Sequence, residues 1–159
     1  ITEERKEKVL FSEPYLSNSQ IIVTMADSDI ETKADLAGKV VATQQGSAAF
    51  DAIIADETRI AAEFDGGTPI LYPTFNDVFN DLESGRSDAI VVDEVLGRYT
   101  MKLKGEEKFA VLTDNFGDEE YGVGLRKEDV ALKEAIDATM NDMREDGTYD
   151  EIYAKWFAE

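Results

Sequence analysis

The chain has 159 residues, 43% hydrophobic and 32% charged, with 35 acidic residues against 16 basic ones and a formal net charge of −19. That length supports one ordinary domain with a sizeable core, and the acidic balance argues against nucleic acid and against an anionic membrane surface, since both need clustered Lys and Arg. With neither Cys nor His, disulfides and thiolate chemistry are ruled out, and the commonest general base and zinc ligand is missing.

Residues 1–8 mix acids and bases where a signal peptide would be apolar, and no run nears the ~20 apolar residues of a membrane span. Residues 19–25 read as a strand, β-branched and apolar, bounded by Asn18 and a turn at 27–29. A short helical turn over 32–36 stops at Gly38, and 39–43 form the next strand. After a loop at 44–47, residues 48–56 read as a helix with Phe50, Ile53 and Ile54 at i, i+3, i+4 spacing.

A turn at 66–69 precedes a strand at 70–72. Residues 76–83 are helical, with Phe75, Val78, Phe79 and Leu82 on one face and Gly85 as the cap. The apolar run 88–92 is a buried strand, and Asp93 returns the chain to helix until near Lys104. Two more strands are expected at 109–113 and 121–126, with acidic runs such as 118–120 as solvated turns. A long helix opened by residues 127–129 carries a core stripe of Leu132, Ile136, Met140 and Met143, and Gly147 ends it. Tyr149, Ile152, Tyr153, Trp156 and Phe157 mark a last amphipathic helix, with Trp156 expected in the core. Strands alternating with helical periods imply an α/β domain with a largely parallel sheet.

Three places carry recognition chemistry. The guanidinium of Arg5 is a planar fork that matches a carboxylate, although beside Glu3 and Glu4 it reads equally as a solvated surface residue. Gly46, Ser47 and Ala48 run a glycine loop into a helix start, where free backbone N–H groups and the positive helix end suit an anion. Ser47 can donate its hydroxyl to a ligand there, or simply cap the helix. Asp93 ends an apolar strand, and ligands of open α/β sheets gather beyond the carboxyl ends of strands. Its carboxylate suits an ammonium group, and it also suits the N-cap of the following helix. Asp88 and Trp156 read as structural, and Glu94 as a first-turn helix acid.

In order along the chain, ITEER (1–5), FSEPY (11–15), DLAGKVVATQQGS (35–47), LESGRSDAIVVDE (82–94), YGVGLRKED (121–129) and MREDGTYDEIYAKWF (143–157) resemble the type 3 solute-binding proteins, the polar amino-acid receptors of bacterial ABC importers. The resemblance implies a periplasmic-binding-protein-like type II α/β fold, with one complete α/β lobe and an incomplete second lobe joined by two hinge strands, near 20–25 and 121–125. Residues 1–25 would be a remnant of lobe 1 with the first hinge strand, 26–120 the complete lobe 2, and 121–159 the second hinge strand with the C-terminal helices of lobe 1. In the family the arginine motif sits well inside the chain, so the resemblance implies N-terminal truncation, with any targeting segment lost.

By the same resemblance Arg5 and the start at Gly46, Ser47 and Ala48 hold the carboxylate of an L-amino acid, and Asp93 holds its ammonium. Thr43, Gln44, Gln45, Thr74 and Phe75 are candidate side-chain contacts. Two departures stand out: the family's hydroxyl residue ahead of Ile1 is absent, and Ala48 stands where a second hydroxyl is frequent. The implied protein is a noncatalytic periplasmic or extracellular receptor, lipid-anchored or free, that needs no cofactor or metal and serves an ABC permease. The truncated chain is expected to associate or swap domains as a dimer, because a cut lobe exposes apolar surface. Alternatives in the same fold are a sensor domain of a membrane receptor or kinase, and a dehydratase working through Asp, Glu, Lys or Tyr. The acidic balance hints at a cationic ligand.

Overall fold

The computed structural model describes residues 1–157. In chain order these form α1 (Glu3–Lys8), β1 (Leu10–Phe11), β2 (Leu16–Met25), β3 (Val41–Gln44), α2 (Ala48–Ala55), β4 (Ile70–Tyr72), α3 (Phe75–Glu83), β5 (Ala89–Asp93), α4 (Glu94–Lys104), β6 (Phe109–Tyr121), β7 (Gly124–Leu125), α5 (Val130–Glu145) and α6 (Thr148–Phe157), with short 3₁₀ turns between several of them. The chain divides into two compact units, a larger one of residues 18–119 and a smaller one of residues 1–17 with those from 120 on. The divisions fall at 17/18 and 119/120, where the sequence reading puts them at 25/26 and 120/121, and residues 20–24 of β2 pair with β5 inside the larger unit.

The larger unit is built on a five-stranded sheet in the order β4-β3-β5-β2-β6. β3 runs parallel to both β4 and β5, with Ala42 opposite Ile70 and Val41 opposite Ala89. Helices α2 and α3 supply the crossovers that parallel neighbours require. β2 instead runs antiparallel to β5, with Ile21 opposite Val92 and Val23 opposite Ile90, so the sheet is mixed where the sequence pattern suggested a largely parallel one.

Successive residues of a strand face opposite sides, and here both sides are dry. Ile22, Val41, Ala89 and Val91 point to the α2 side, where they join Leu36, Ala49 and Ile53. Ile21, Val23, Ala42, Ile90 and Val92 point the other way, onto Val78, Phe79 and Leu82 of α3 and Met101 of α4. Phe79 and Phe109 meet edge to face with centroids 5.7 Å apart. Each large side chain buried this way contributes about 1.5–3 kcal/mol. Gly97 lets α4 lie close to the sheet, since a Cβ there would stand 2.7 Å from Val92 Cγ2 and 3.3 Å from Ile21 Cδ1.

β6 corrects the sequence reading. Residues 118–120 are not a solvated turn but part of a thirteen-residue strand that also contains 109–113. The side chains of Asp118 and Glu119 find partners on β2: Ser19 donates to Asp118 at 3.2 Å and Gln20 to Glu119 at 2.7 Å.

In the smaller unit β1 and β7 form a two-stranded antiparallel ribbon, with Leu10 opposite Leu125. The ribbon continues through Ser12 N donating to Val123 O and Tyr15 N to Tyr121 O, both at 3.0 Å. Polar contacts hold the helices to it. Glu13 N donates to Asp137 of α5 at 2.8 Å, Arg144 to Pro14 O at 2.8 Å, and the Tyr149 hydroxyl of α6 to Tyr15 O at 2.6 Å. The expected stripe on α5 is not a core. Ile136, Met140 and Met143 are half-buried, and Leu132 is 53% exposed. Trp156 is likewise not buried but 68% exposed. The periodicity specifies a helix here, but a two-stranded ribbon is too small a surface to cover both helices.

One ion pair ties the end of α2 to the 3₁₀ turn before β3. Lys33 Nζ donates to Asp56 Oδ2 at 2.7 Å, with both side chains largely buried. Burial pushes the Asp56 carboxyl up, but hydrogen bonds from Lys33 and Thr58 and the Lys33 charge together hold it below its ordinary 3.8. A carboxylate held below its unfolded value stabilises the fold above that value, and the contribution disappears as pH falls through the folded one. Asp56→Asn should therefore lower the urea midpoint at neutral pH and leave a smaller further loss below 3.8 than the native chain shows. Parallel acid limbs in the two proteins would remove Asp56 from acid unfolding.

Candidate functional site

The parallel strands end together. β3 finishes at Gln44 opposite Tyr72, the last residue of β4, and β5 lies on the other side of β3 in parallel. A helix starts just beyond each of these three ends, so α2, α3 and α4 all begin at one edge of the sheet. Three residues from the sequence reading cap those starts: Ser47, Thr74 and Asp93.

Gly46 takes φ +66°, a left-handed turn that a Cβ would strain, and delivers the chain into α2. Ser47 is buried. Its Oγ accepts from Phe50 N at 3.2 Å and donates to Gln44 O at 2.7 Å. The hydroxyl proton is thus committed within the loop, and the donors that α2 offers an anion are the first-turn backbone N–H groups beginning at Ala48, which lack partners inside the helix. Thr74 is exposed, accepting from Asp77 N at 3.2 Å and donating to Asp77 Oδ2 at 2.7 Å. Gln44 Nε2 donates to Pro73 O at 2.9 Å, Gln45 N donates to Tyr72 O at 2.9 Å, and Phe75 packs against the core on the α3 side. Thr43 Oγ1 is turned inward, donating to Val91 O at 2.8 Å.

Asp93 is half-buried at the end of β5. One carboxylate oxygen accepts from Leu96 N at 3.0 Å as the cap of α4, and the other from Asn18 Nδ2 at 2.5 Å. Being two residues beyond Val91 it faces the α2 side of the sheet, as does the start of α2. Both candidate recognition elements of the larger unit therefore share one edge and one face. Arg5 belongs to the smaller unit, where it is exposed on α1 and its backbone N donates to Thr2 Oγ1 at 3.3 Å.

Sequence reasoning missed Asn18, Gln20 and Glu119. The Asn18 amide donates to Glu119 Oε1 at 2.7 Å as well as to Asp93, and Gln20 Nε2 donates to the same Glu119 oxygen at 2.7 Å. The available signal was the spacing of Asn18 and Gln20. Two amides at i, i+2 on one strand share one face, and a buried amide needs a partner.

The pattern of the bacterial extracellular solute-binding proteins, family 3, matches residues 1–159. The chain belongs to that family. It is 32% identical to the ABC transporter glutamine-binding protein GlnH of Bacillus subtilis, over 100% of this chain and 55% of that protein. It is 32% identical to the lysine/arginine/ornithine-binding periplasmic protein of Escherichia coli, over 99% of this chain and 61% of that one. Among solved structures, an ABC uptake transporter substrate-binding protein of Streptococcus pneumoniae with bound histidine superposes with a TM-score of 0.92 at 34% identity, covering 100% of this chain and 65% of that one. The fold class is that of the family, α/β and of the type II periplasmic-binding kind. The chain spans about 55–61% of the length of these two curated relatives.

Ser47 carries the entry of α2 on its side chain, so Ser47→Ala should cost about 1 kcal/mol in urea denaturation. An unchanged midpoint would show that the Gly46 turn holds the helix start without the cap.

Proposed function

We propose that the chain is the substrate-binding component of an amino-acid ABC importer, acting outside the cytoplasm without catalysis and delivering an L-amino acid to a membrane permease. The observation that carries this reading is the joint placement of Asp93 and the first turn of α2 at the carboxyl edge of the sheet. A carboxylate beside a helix N-terminus is complementary to the two charged ends of a zwitterion. Family membership supports the same role. Asp93 takes the ammonium, and the N–H groups around Ser47 and Ala48 take the carboxylate together with Arg5, whose assignment rests on the ITEER motif. Gln44, Gln45 and Thr74 border the site, while Phe75 contributes more to the core than to a ligand. Association between copies through the exposed Leu132, Ile152 and Trp156 belongs to the same reading.

Calorimetric titration with the standard L-amino acids tests it, on this chain and on a version extended to the length of its relatives. Binding of one or a few amino acids is expected, with Arg5→Ala and Asp93→Ala each weakening it by about 3–5 kcal/mol, the cost of leaving a desolvated charge unpaired. Unchanged affinity in both variants would overturn the site, and silence from the extended version would overturn the function.

A further inference from the structure

We infer that Asn18 is a positioning residue for Asp93, holding the carboxylate in the orientation that receives a ligand's α-ammonium, with Glu119 as the anchor on its far side. The inference rests on the site proposed above. Asn18 is only 4% exposed, and each part of its carboxamide is engaged. Oδ1 accepts from Val95 N at 3.3 Å, in the first turn of α4, while Nδ2 donates to Asp93 at 2.5 Å and to Glu119 at 2.7 Å.

That set of partners fixes the amide one way round. Turned over, it would aim its oxygen at two carboxylates and its N–H groups at a backbone N–H, losing three hydrogen bonds at once. The two protons of one neutral group therefore bridge two anions without adding charge. Such bonds to ionised acceptors are the stronger kind. Glu119 is held in turn by Gln20, which is 2% exposed and whose Cα pairs with that of Asp93 across β2 and β5.

The consequence falls on Asp93. Its cap bond to Leu96 N fixes one oxygen against α4, and Asn18 fixes the other, so the plane of the carboxylate is set before any ligand arrives. A preorganised acceptor gives up less freedom when it binds. An apolar residue at 18 would leave Asp93 with its helix-capping role but without its second constraint.

The test compares each amino acid with its analogue lacking the α-amino group: L-arginine with δ-guanidinovaleric acid, and L-glutamine with glutaramic acid. The wild-type chain, extended to the length of its relatives, should prefer the amino acid of at least one pair. In Asn18→Leu, or in the smaller Asn18→Ser if that variant does not fold, the preference is expected to shrink by about tenfold or more. A merely structural defect would weaken both members of a pair alike and leave the ratio unchanged, and that result would overturn the assignment. A wild-type chain that binds the amino acids without preferring them to their analogues would overturn the ammonium role of Asp93 itself. A wild-type chain that binds none of the standard L-amino acids would instead count against the binding function on which the inference depends.

Discussion

The central constraint is that β5 is buried on both faces. Ala89, Ile90, Val91 and Val92 are all fully enclosed, so apolar layers must lie on each side of the sheet. Helix α2 packs on one, and α3 with α4 on the other. Helices that return the chain between parallel strands must start where the strands end. Burying the strand therefore dictates that three helix N-termini gather at one edge. The candidate site is a by-product of how the core is closed, which is why ligand sites recur at this place in open α/β sheets.

Capping and recognition are not competing roles at this edge. Ser47, Thr74 and Asp93 each satisfy a helix start, and such residues are needed there whether or not a ligand binds. What distinguishes Asp93 is a partner on a distant strand, where the second partners of Ser47 and Thr74 lie within three residues. Asn18 and Glu119 turn a local cap into part of a network drawn from β2, β5 and β6. Two half-buried carboxylates bridged by one neutral amide give this corner a negative character that the overall charge of −19 would not by itself locate, since surface charge and pocket charge are set independently.

The smaller unit is held differently. Its ribbon and helices are joined by backbone and side-chain hydrogen bonds, among them Tyr149 to Tyr15 O and Glu13 N to Asp137, while Val130, Leu132, Ile152, Tyr153 and Trp156 remain exposed. The contrast with β5, whose sheet is covered on both faces, is one of apolar burial. Hydrogen bonds of this kind contribute about 1 kcal/mol each, less than a large side chain fully buried.

The sequence alone determined what depends on neighbours in the chain. The strand at 70–72, the helix at 76–83 and the one from Asp93 to near Lys104, the cap positions at Ser47 and Asp93 and the family motifs are all local patterns of periodicity, turn chemistry and order. Tertiary structure decided what depends on distant partners. The reversal of β2 against β5, the pairing of acidic 118–120 with β2, the bridge from Asn18 to Asp93 and Glu119, and the exposure of Trp156 involve residues remote in sequence. An apolar stripe specifies a helix face, but only the surfaces available elsewhere in the fold decide whether that face is covered. A polar residue on a strand likewise shows that it needs a partner, and folding alone selects which one.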